Sequence, residues 1–487
     1  MDDDAAPVAP GAAPPPPPPP PGTPAPPPTP TPAPARARDR HRWLYTAVAV
    51  FAVFELGAAA FLLDARPHDR RRPAHVAAAT GHVAAPRTSD TERHDAERLR
   101  AVTALLERRS VAIRRRDRAA FEATLDPAAG TFVKRQLAVF DALKAVPLAS
   151  WRYEVAPDRD VPASSPYLRK YGRAEAWSPT ATLRYQLTGF DDAPTAVEQY
   201  FTFVKRGDGW RIANDADFPG VADRQTGRDV WDFGPVQVVH GARSLVLGHP
   251  GHTALLRDVA AQTDAAVPRV SAVWGGGWAR RAVVVVPDTQ KELASILGDK
   301  SDLSKIAAVA VAELPADAGS HPVGNRVIVN PPNFRRLGAK GRRVVLTHEV
   351  THVATRDASA NGVPTWLVEG FADYVGYQGL GLTPRTICQE LAAEVRQGRR
   401  PKALPVEKEF DGGNARLAQA YEEAWLAVRM IAERSGEKAL VAFYRAAGTA
   451  ARDNRADPLG EALRGTLRTD PKTFTDAWRA YVAKTLG

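Results

Sequence analysis

The chain has 487 residues, 44% of them hydrophobic, so it can hold more than one globular core, and its length predicts two or three domains. Its formal net charge is +10, but basic and acidic residues are interspersed and no aromatic-rich basic motif occurs, which argues against a nucleic-acid partner. The single cysteine, Cys388, excludes an intrachain disulfide framework and a zinc cluster built on cysteines.

Residues 1–42 form a low-complexity tail rich in proline, alanine and threonine, with an unbroken run from Pro14 to Pro21. A segment of this composition cannot bury a core and is predicted to be extended and disordered. The apolar run that follows, residues 43–63, would span about 31 Å as a helix, enough to cross the hydrocarbon core of a bilayer. The sequence therefore predicts one transmembrane helix, with Glu55 as an expensive carboxyl near its middle.

Arginines flank both ends of this predicted helix: Arg36, Arg38, Arg40 and Arg42 precede it, and Arg66, Arg70, Arg71 and Arg72 follow it. The positive-inside rule therefore gives almost a tie. A short disordered tail needs no export, and one anchor before large domains is the simpler arrangement. We therefore expect a single-pass protein of the cell membrane, with its N-terminus in the cytoplasm and its larger part outside.

After a polar linker at 64–90, a first domain is predicted over residues 91–225. It begins with helical periodicity over 93–116 and a second helix near 117–125, and strand-like alternation follows around 151–155, 183–187, 197–203 and 210–213. Helices followed by a curved antiparallel sheet resemble the NTF2-like, cystatin-like α+β fold. That resemblance implies a pocket for a small ligand. Since no catalytic group of residues is visible, we expect a structural or binding module.

A second domain is predicted over residues 230–487. Its first half alternates between the two kinds of element, with strands at 245–247, 282–286, 307–311 and 326–329 and helices at 251–266 and 288–297. Residues 381–487 are mostly helical, and a periodic run at 420–436 ends at Gly436. This order predicts an α+β domain with a mixed sheet and a mainly helical C-terminal part.

The pentapeptide HEVTH holds a pair of histidines at helical spacing. His348 and His352 stand four residues apart in an apolar-rich run, so on an α-helix both imidazoles leave the same face. Glu349 lies between them and can reach a water held by the same metal. Catalytic zinc needs three protein ligands and one open position, and Glu369 on a second predicted helix, 365–378, is the third candidate.

Asp373 lies one turn beyond Glu369 and can accept the second ring N–H of a ligand histidine. HEVTH followed by WLVEGFADY resembles the gluzincin metallopeptidases, the group that includes thermolysin and the M1 aminopeptidases, and above all the peptidase MA-like domains. The resemblance implies that His348, His352 and Glu369 bind zinc, that Glu349 is the general base and that Asp373 supports a histidine. The metzincin pattern fits worse, because it requires other residues where Thr355 and Ala358 stand.

The same resemblance implies a peptide or protein substrate. The strand before the zinc helix, Arg326–Val329, is expected to be the edge that pairs with extended peptide. A tyrosine-containing helix often follows in MA-like domains, so Tyr421 is a candidate donor to the tetrahedral oxyanion, and a packed aromatic is the alternative role. Tyr374 and Tyr377 are rival candidates.

Together these features predict a membrane-anchored zinc metallopeptidase. The alternative from another class is a membrane-tethered ligand-binding or sensing protein, in which the zincin fold is a non-catalytic scaffold. A third hypothesis is hydrolysis of a non-peptide amide, because the ligands alone do not choose the substrate. Cleavage specificity depends on pocket walls that no motif reports.

Overall fold

The computed structural model describes residues 42–48 and 90–487, except 162–164, 173, 208, 222–223, 299–304, 315–320 and 360–361. Residues 1–41 of the predicted proline-rich tail, the linker at 64–90 except Asp90, and residues 49–63 of the predicted transmembrane helix lie outside the described residues. Strand β1, Arg42–Val48, is the first described element.

The region that we call the first domain, after the predicted boundaries, combines three helices with an antiparallel sheet, and the division into two domains stays a prediction. The helices are α1 (Asp90–Arg115), α2 (Arg118–Glu122) and α3 (Gly130–Leu143), and the strands are β2 (Leu148–Val161), β3 (Ala176–Leu187), β4 (Thr195–Gln199), β5 (Thr202–Arg206) and β6 (Gly209–Asn214). The sheet order is β2-β3-β5-β6, and β4 also pairs with β3. Helix α1 forms because Val102, Leu105, Leu106 and Ile113 recur at helical spacing and are all buried.

Two details of this domain differ from the sequence prediction. Helix α3 was not predicted, although its buried face includes Phe132, Val139 and Phe140. The apolar residues at 197–203 belong to two strands rather than one. Strand β4 pairs with residues 181–185 of β3, and after a break β5 pairs with Ala176 and Trp177 at the start of β3. The assignment of this α+β arrangement to the NTF2-like fold stays a prediction.

The second domain contains the larger sheet. Its first elements are β7 (Gln237–His240), β8 (Ser244–Gly248), α4 (Thr253–Trp274), β9 (Ala282–Val286), α5 (Gln290–Leu297), β10 (Ala308–Leu314), β11 (Val323–Val329), α6 (Pro331–Arg336), α7 (Ala339–Ser359) and α8 (Thr365–Tyr377). Helices follow as α9 (Pro384–Ile387), α10 (Gln389–Arg396), α11 (Leu417–Ser435), α12 (Glu437–Arg452), α13 (Pro458–Ala462) and α14 (Pro471–Leu486). The predicted mixed sheet and mainly helical C-terminal part are confirmed.

The sheet order is β1-β10-β11-β9-β8-β7, with parallel pairing only between β11 and β9 and between β9 and β8 among the described strands. Strand β11 is therefore internal, paired with β10 on one side and β9 on the other. The prediction that Arg326–Val329 form a free edge for peptide binding is wrong, because both sides of the strand are already hydrogen-bonded. The strand between β11 and β1 is β10.

Both faces of this sheet are buried, because alternate residues of a strand point to opposite sides. On one side, Val246, Val284 and Val327 share a hydrophobic cluster with Val345 and Leu346 of α7. On the other side, residues from strands β8 to β11 share a cluster with apolar residues of the first domain. These strand residues are Leu245, Leu247, Val283, Val285, Val309, Val311 and Ile328. The first domain therefore covers the second face of the sheet and shares one core with it.

Strand β1 occupies residues where the sequence predicts the start of a transmembrane helix. Its backbone pairs antiparallel with β10, with Thr46 opposite Ala310. An apolar segment can satisfy its backbone groups inside a helix in lipid or at a sheet edge in water, so its local composition fits both. Within the described residues, none of the helices combines the length and apolar character that a membrane span requires.

Candidate metal centre

Helix α7 runs through the middle of the second domain, and every residue from Val344 to Arg356 is buried. One side packs on the sheet through Val345 and Leu346, and another packs on the helical part through Val350 and Ala354. A helix buried all round is usually apolar on most faces, but seven of these 13 residues are polar or charged. His348 and His352 are among them, and their four-residue spacing places both on one face.

Helix α8 brings the third candidate ligand to that face. Leu367, Phe371 and Val375 are fully buried at helical spacing, and they hold the helix in the core. Gly370 permits a close approach to α11, because a Cβ atom there would lie 2.4 Å from the carbonyl oxygen of Ala424. This packing leaves Glu369 on the side that faces α7.

The three candidate ligand atoms form a small triangle. The two Nε2 atoms of His348 and His352 are 2.8 Å apart, and they lie 3.3 Å and 3.5 Å from Oε2 of Glu369. Ligand atoms about 2.0–2.1 Å from a tetrahedral zinc would be roughly 3.3 Å from one another. The triangle therefore has the size and the donor types of a zinc site.

Asp373 fixes the orientation of one imidazole. Nδ1 of His348 lies 2.8 Å from Oδ1 of Asp373 and donates to it, so Nε2 is left to face Glu369 and His352. Burial alone would lower the pKa of His348, but the Asp373 carboxylate raises it to about 10. The pKa of Glu369 falls to about 2 despite its burial, because His352 and His348 stabilise its charge. His348 therefore favours its charged form, whereas burial lowers the pKa of His352 to about 4.

Glu349 is fully buried beside the triangle, and neither of its carboxylate oxygens has a hydrogen-bond partner among the described residues. Burial raises its pKa to about 8, while nearby positive charge acts in the opposite direction. Three carboxylates, those of Glu349, Glu369 and Asp373, and one guanidinium, that of Arg356, are buried in this region. In the state that a bound divalent cation would favour, with both histidines neutral and all three carboxylates ionised, these groups carry a net charge of −2, which the cation would compensate.

The structure thus brings together five of the six residues singled out from the sequence. The sixth, Tyr421, lies on α11, buried and edge to face with Phe410 at a ring distance of 5.2 Å. The hydroxyl of Tyr374 donates to Glu437 at 2.8 Å, and the ring of Tyr377 packs against Trp425. A catalytic role for Tyr421 stays a prediction.

Sequence reasoning missed Arg356, although its position was informative. It lies four residues after His352, so helical spacing puts it on the same face as the candidate ligands. Its guanidinium donates to the carbonyl oxygen of Ala310 on β10 at 2.9 Å. The neighbouring Asp357, by contrast, pairs with the exposed His321 at 3.0 Å and is not part of the triangle.

No protein-family model matches the chain, and neither does any curated protein. Among solved structures, a two-domain M1 zinc metallopeptidase mutant bound to L-arginine is 14% identical with a TM-score of 0.29, and 64% of this chain and 61% of that chain are covered. This chain thus spans less than two thirds of that structure. The M1 zinc metallopeptidase from Deinococcus radiodurans is also 14% identical, with a TM-score of 0.27 and coverage of 68% and 69%. Such slight likeness assigns no role to any residue, so the functional argument depends on the geometry above.

Proposed function

We propose that the protein is a zinc-dependent peptidase whose metal is held by His348, His352 and Glu369. The observation that supports this most strongly is the buried triangle of two imidazole nitrogens and a carboxylate oxygen beside Glu349. A buried carboxylate with no hydrogen-bond partner among the described residues is costly in a protein interior. We infer that this cost is retained because Glu349 acts on a water molecule and its substrate.

In this proposal the side chains have separate tasks. Zinc, when bound, supplies Lewis acidity, which lowers the pKa of water to about 7 and polarises a peptide carbonyl. Glu349 accepts the proton of the attacking water and then donates it to the leaving amine. Asp373 keeps Nε2 of His348 directed at the other ligands.

Metal content tests the ligand assignment. We expect about one zinc per full-length chain after metal-replete purification, and little or none in His348→Ala and Glu369→Ala, because each variant removes one of three ligands. The measurement is elemental analysis of purified protein. His321→Ala is the matched control, since this exposed histidine pairs with Asp357 and should keep its zinc. A zinc-free parent chain would contradict the proposal and favour a scaffold.

The alternative is a membrane-tethered ligand-binding or sensing protein with a non-catalytic zincin scaffold. The first domain contains a cleft of about 40 Å³, lined by aromatic and charged residues that include Arg109, Trp151, Tyr185 and Asp229. That volume suits water-sized molecules, so the cleft does not favour a larger ligand. Retention of every candidate zinc ligand together with Glu349 argues for catalysis instead. A zinc-loaded chain that cleaves no member of a broad library of peptides and other amides would favour the alternative.

We further propose that residues 43–63 anchor the protein in the cell membrane, with the metal centre outside. A membrane helix and strand β1 exclude each other over residues 43–48, so one experiment decides between them. The variant Phe54→Arg/Ala58→Arg alters only the part after β1, and each arginine costs about 2.5–3.5 kcal/mol at the centre of a membrane helix. We expect the parent in the membrane fraction and this variant in the soluble fraction.

The control for this experiment carries the same two arginines at the same spacing in the tail, Ala25→Arg/Thr29→Arg. It should remain with the membrane, because the predicted tail does not enter the bilayer. A parent chain found in the soluble fraction would overturn the proposed anchor and leave the arrangement with β1.

A further inference from the structure

A buried guanidinium connects the metal helix to the strand beside it. Arg356 is only 4% exposed, and its Nη2 atom donates to the carbonyl oxygen of Ala310 at 2.9 Å. Removing a guanidinium from water costs several kcal/mol unless hydrogen bonds and opposite charges compensate it. An apolar side chain would fill the same position without that cost, so the charge and the donors of Arg356 must bring an offsetting benefit.

The hydrogen-bond acceptor is close to the proposed catalytic base. The backbone of Ala310 also lies near the Glu349 carboxylate, where it opposes the increase in the pKa of that group, although the two make no hydrogen bond. Glu349 and Arg356 are seven residues apart, which is about two turns of helix, so they lie on one face of α7. One residue of β10 therefore faces both the base and the arginine.

The composition of β10 permits this approach. Ala308 and Ala310 belong to the cluster that includes α7, whereas Val309 and Val311 belong to the cluster on the opposite face. Small side chains on the helix-facing side let the backbone of β10 come close enough for its carbonyl to accept from Arg356. The pairing of β10 with β11 becomes irregular directly afterwards, between Val311 and Glu313. On its other side β10 pairs with β1 without interruption from Ala308 to Leu314, so this irregularity concerns only the side that faces β11.

We propose that Arg356 is a positioning residue that fastens β10 to the metal helix at Ala310 and so fixes the strand beside Glu349. The fastening is a property of the fold. Its consequence for turnover depends on the proposed peptidase function, with β10 as a wall of the substrate site.

The fastening is tested by hydrogen–deuterium exchange in the zinc-loaded full-length chain. Arg356→Met removes the donor, and we expect amides of residues 308–314 to exchange about tenfold faster. Arg343→Met is the matched control: this arginine of the same helix also donates to a carbonyl, but to that of Gln378 at the end of α8, at 2.7 Å. It should leave exchange in β10 unchanged.

Two further substitutions keep the test decisive. If Arg356→Met does not fold, Arg356→Gln replaces it, because its shorter side chain does not reach the Ala310 carbonyl. Arg356→Lys retains a long cationic donor and should restore part of the protection. Parent-like exchange in the methionine or glutamine variant would overturn the fastening, whether or not the parent protein cleaves peptides.

Kinetics tests the consequence at the site. With zinc content unchanged, displacement of β10 in Arg356→Met should raise KM about tenfold and change kcat less than about threefold. Arg356→Lys should have a lower KM than Arg356→Met. General destabilisation would instead reduce the active fraction, which lowers apparent kcat at constant KM. Faster exchange with unchanged KM would overturn the positioning role. A parent chain without turnover would contradict the peptidase function, and the exchange result would still judge the fastening.

Discussion

Glu349→Gln is expected to lower kcat about 10²- to 10⁴-fold while the zinc content stays at the parent level. Glutamine has nearly the shape of glutamate but cannot take a proton from water, so it removes the general base and leaves the ligand triangle in place. Glu349 is not a member of that triangle, which consists of His348, His352 and Glu369. The measurement is steady-state hydrolysis of a cleavable peptide together with elemental analysis of the same samples.

Glu423→Gln is the matched control for this substitution. Glu423 is another buried glutamate, but it lies on α11 and accepts from Arg416 at 2.8 Å. Its replacement should leave kcat within about a factor of two, since the amide oxygen can still accept. A Glu349→Gln protein with full activity would refute the assignment of the base. Loss of zinc in that variant would show that Glu349 instead helps to hold the metal.

Asp191→Ala is expected to destabilise the protein by about 3–5 kcal/mol, because it leaves a buried arginine without its carboxylate. Asp191 follows β3 in the first domain and accepts two hydrogen bonds from Arg326 of β11, at 2.6 Å and 2.8 Å. Their side chains are 3% and 7% exposed. Burial alone would lower the pKa of Arg326, but Asp191 raises it above its ordinary value.

The expected unfolding follows from the shared core. The first domain and one face of the larger sheet belong to one hydrophobic cluster, so we expect a single cooperative unfolding transition. Loss of the ion pair should lower the denaturant concentration at its midpoint. Asp192→Ala is the control, because its carboxylate is 76% exposed and its pairing with Arg281 is near the surface. It should cost less than about 1 kcal/mol. Equal effects of the two substitutions would show that the buried pair contributes no more than the exposed one.

The agreement between sequence and structure is best for the metal centre. His348, Glu349 and His352 lie within one helix, and Glu369 and Asp373 lie within another, so the helical repeat alone places each group on a common face. The bond between His348 and Asp373 was likewise expected from the spacing of Glu369 and Asp373, combined with the resemblance to gluzincins.

Agreement is poorer where the position of an element depends on its neighbours. The alternation of β11 predicts a strand but not which strands flank it, and the expectation that Arg326–Val329 form the free edge was therefore wrong. The apolar run at 43–63 is compatible with a bilayer and, in part, with the edge of β10, because its composition does not specify its solvent.

By itself the sequence determined which side chains could form a metal centre, since residue type and helical spacing are local properties of residues 348–373. The tertiary structure decided how far apart the two helices lie, which places three ligand atoms within 3.5 Å of one another. It also decided that the first domain closes one face of the sheet, and that Arg356 donates to Ala310. These contacts join residues far apart in the chain, and they depend on packing that no local period encodes.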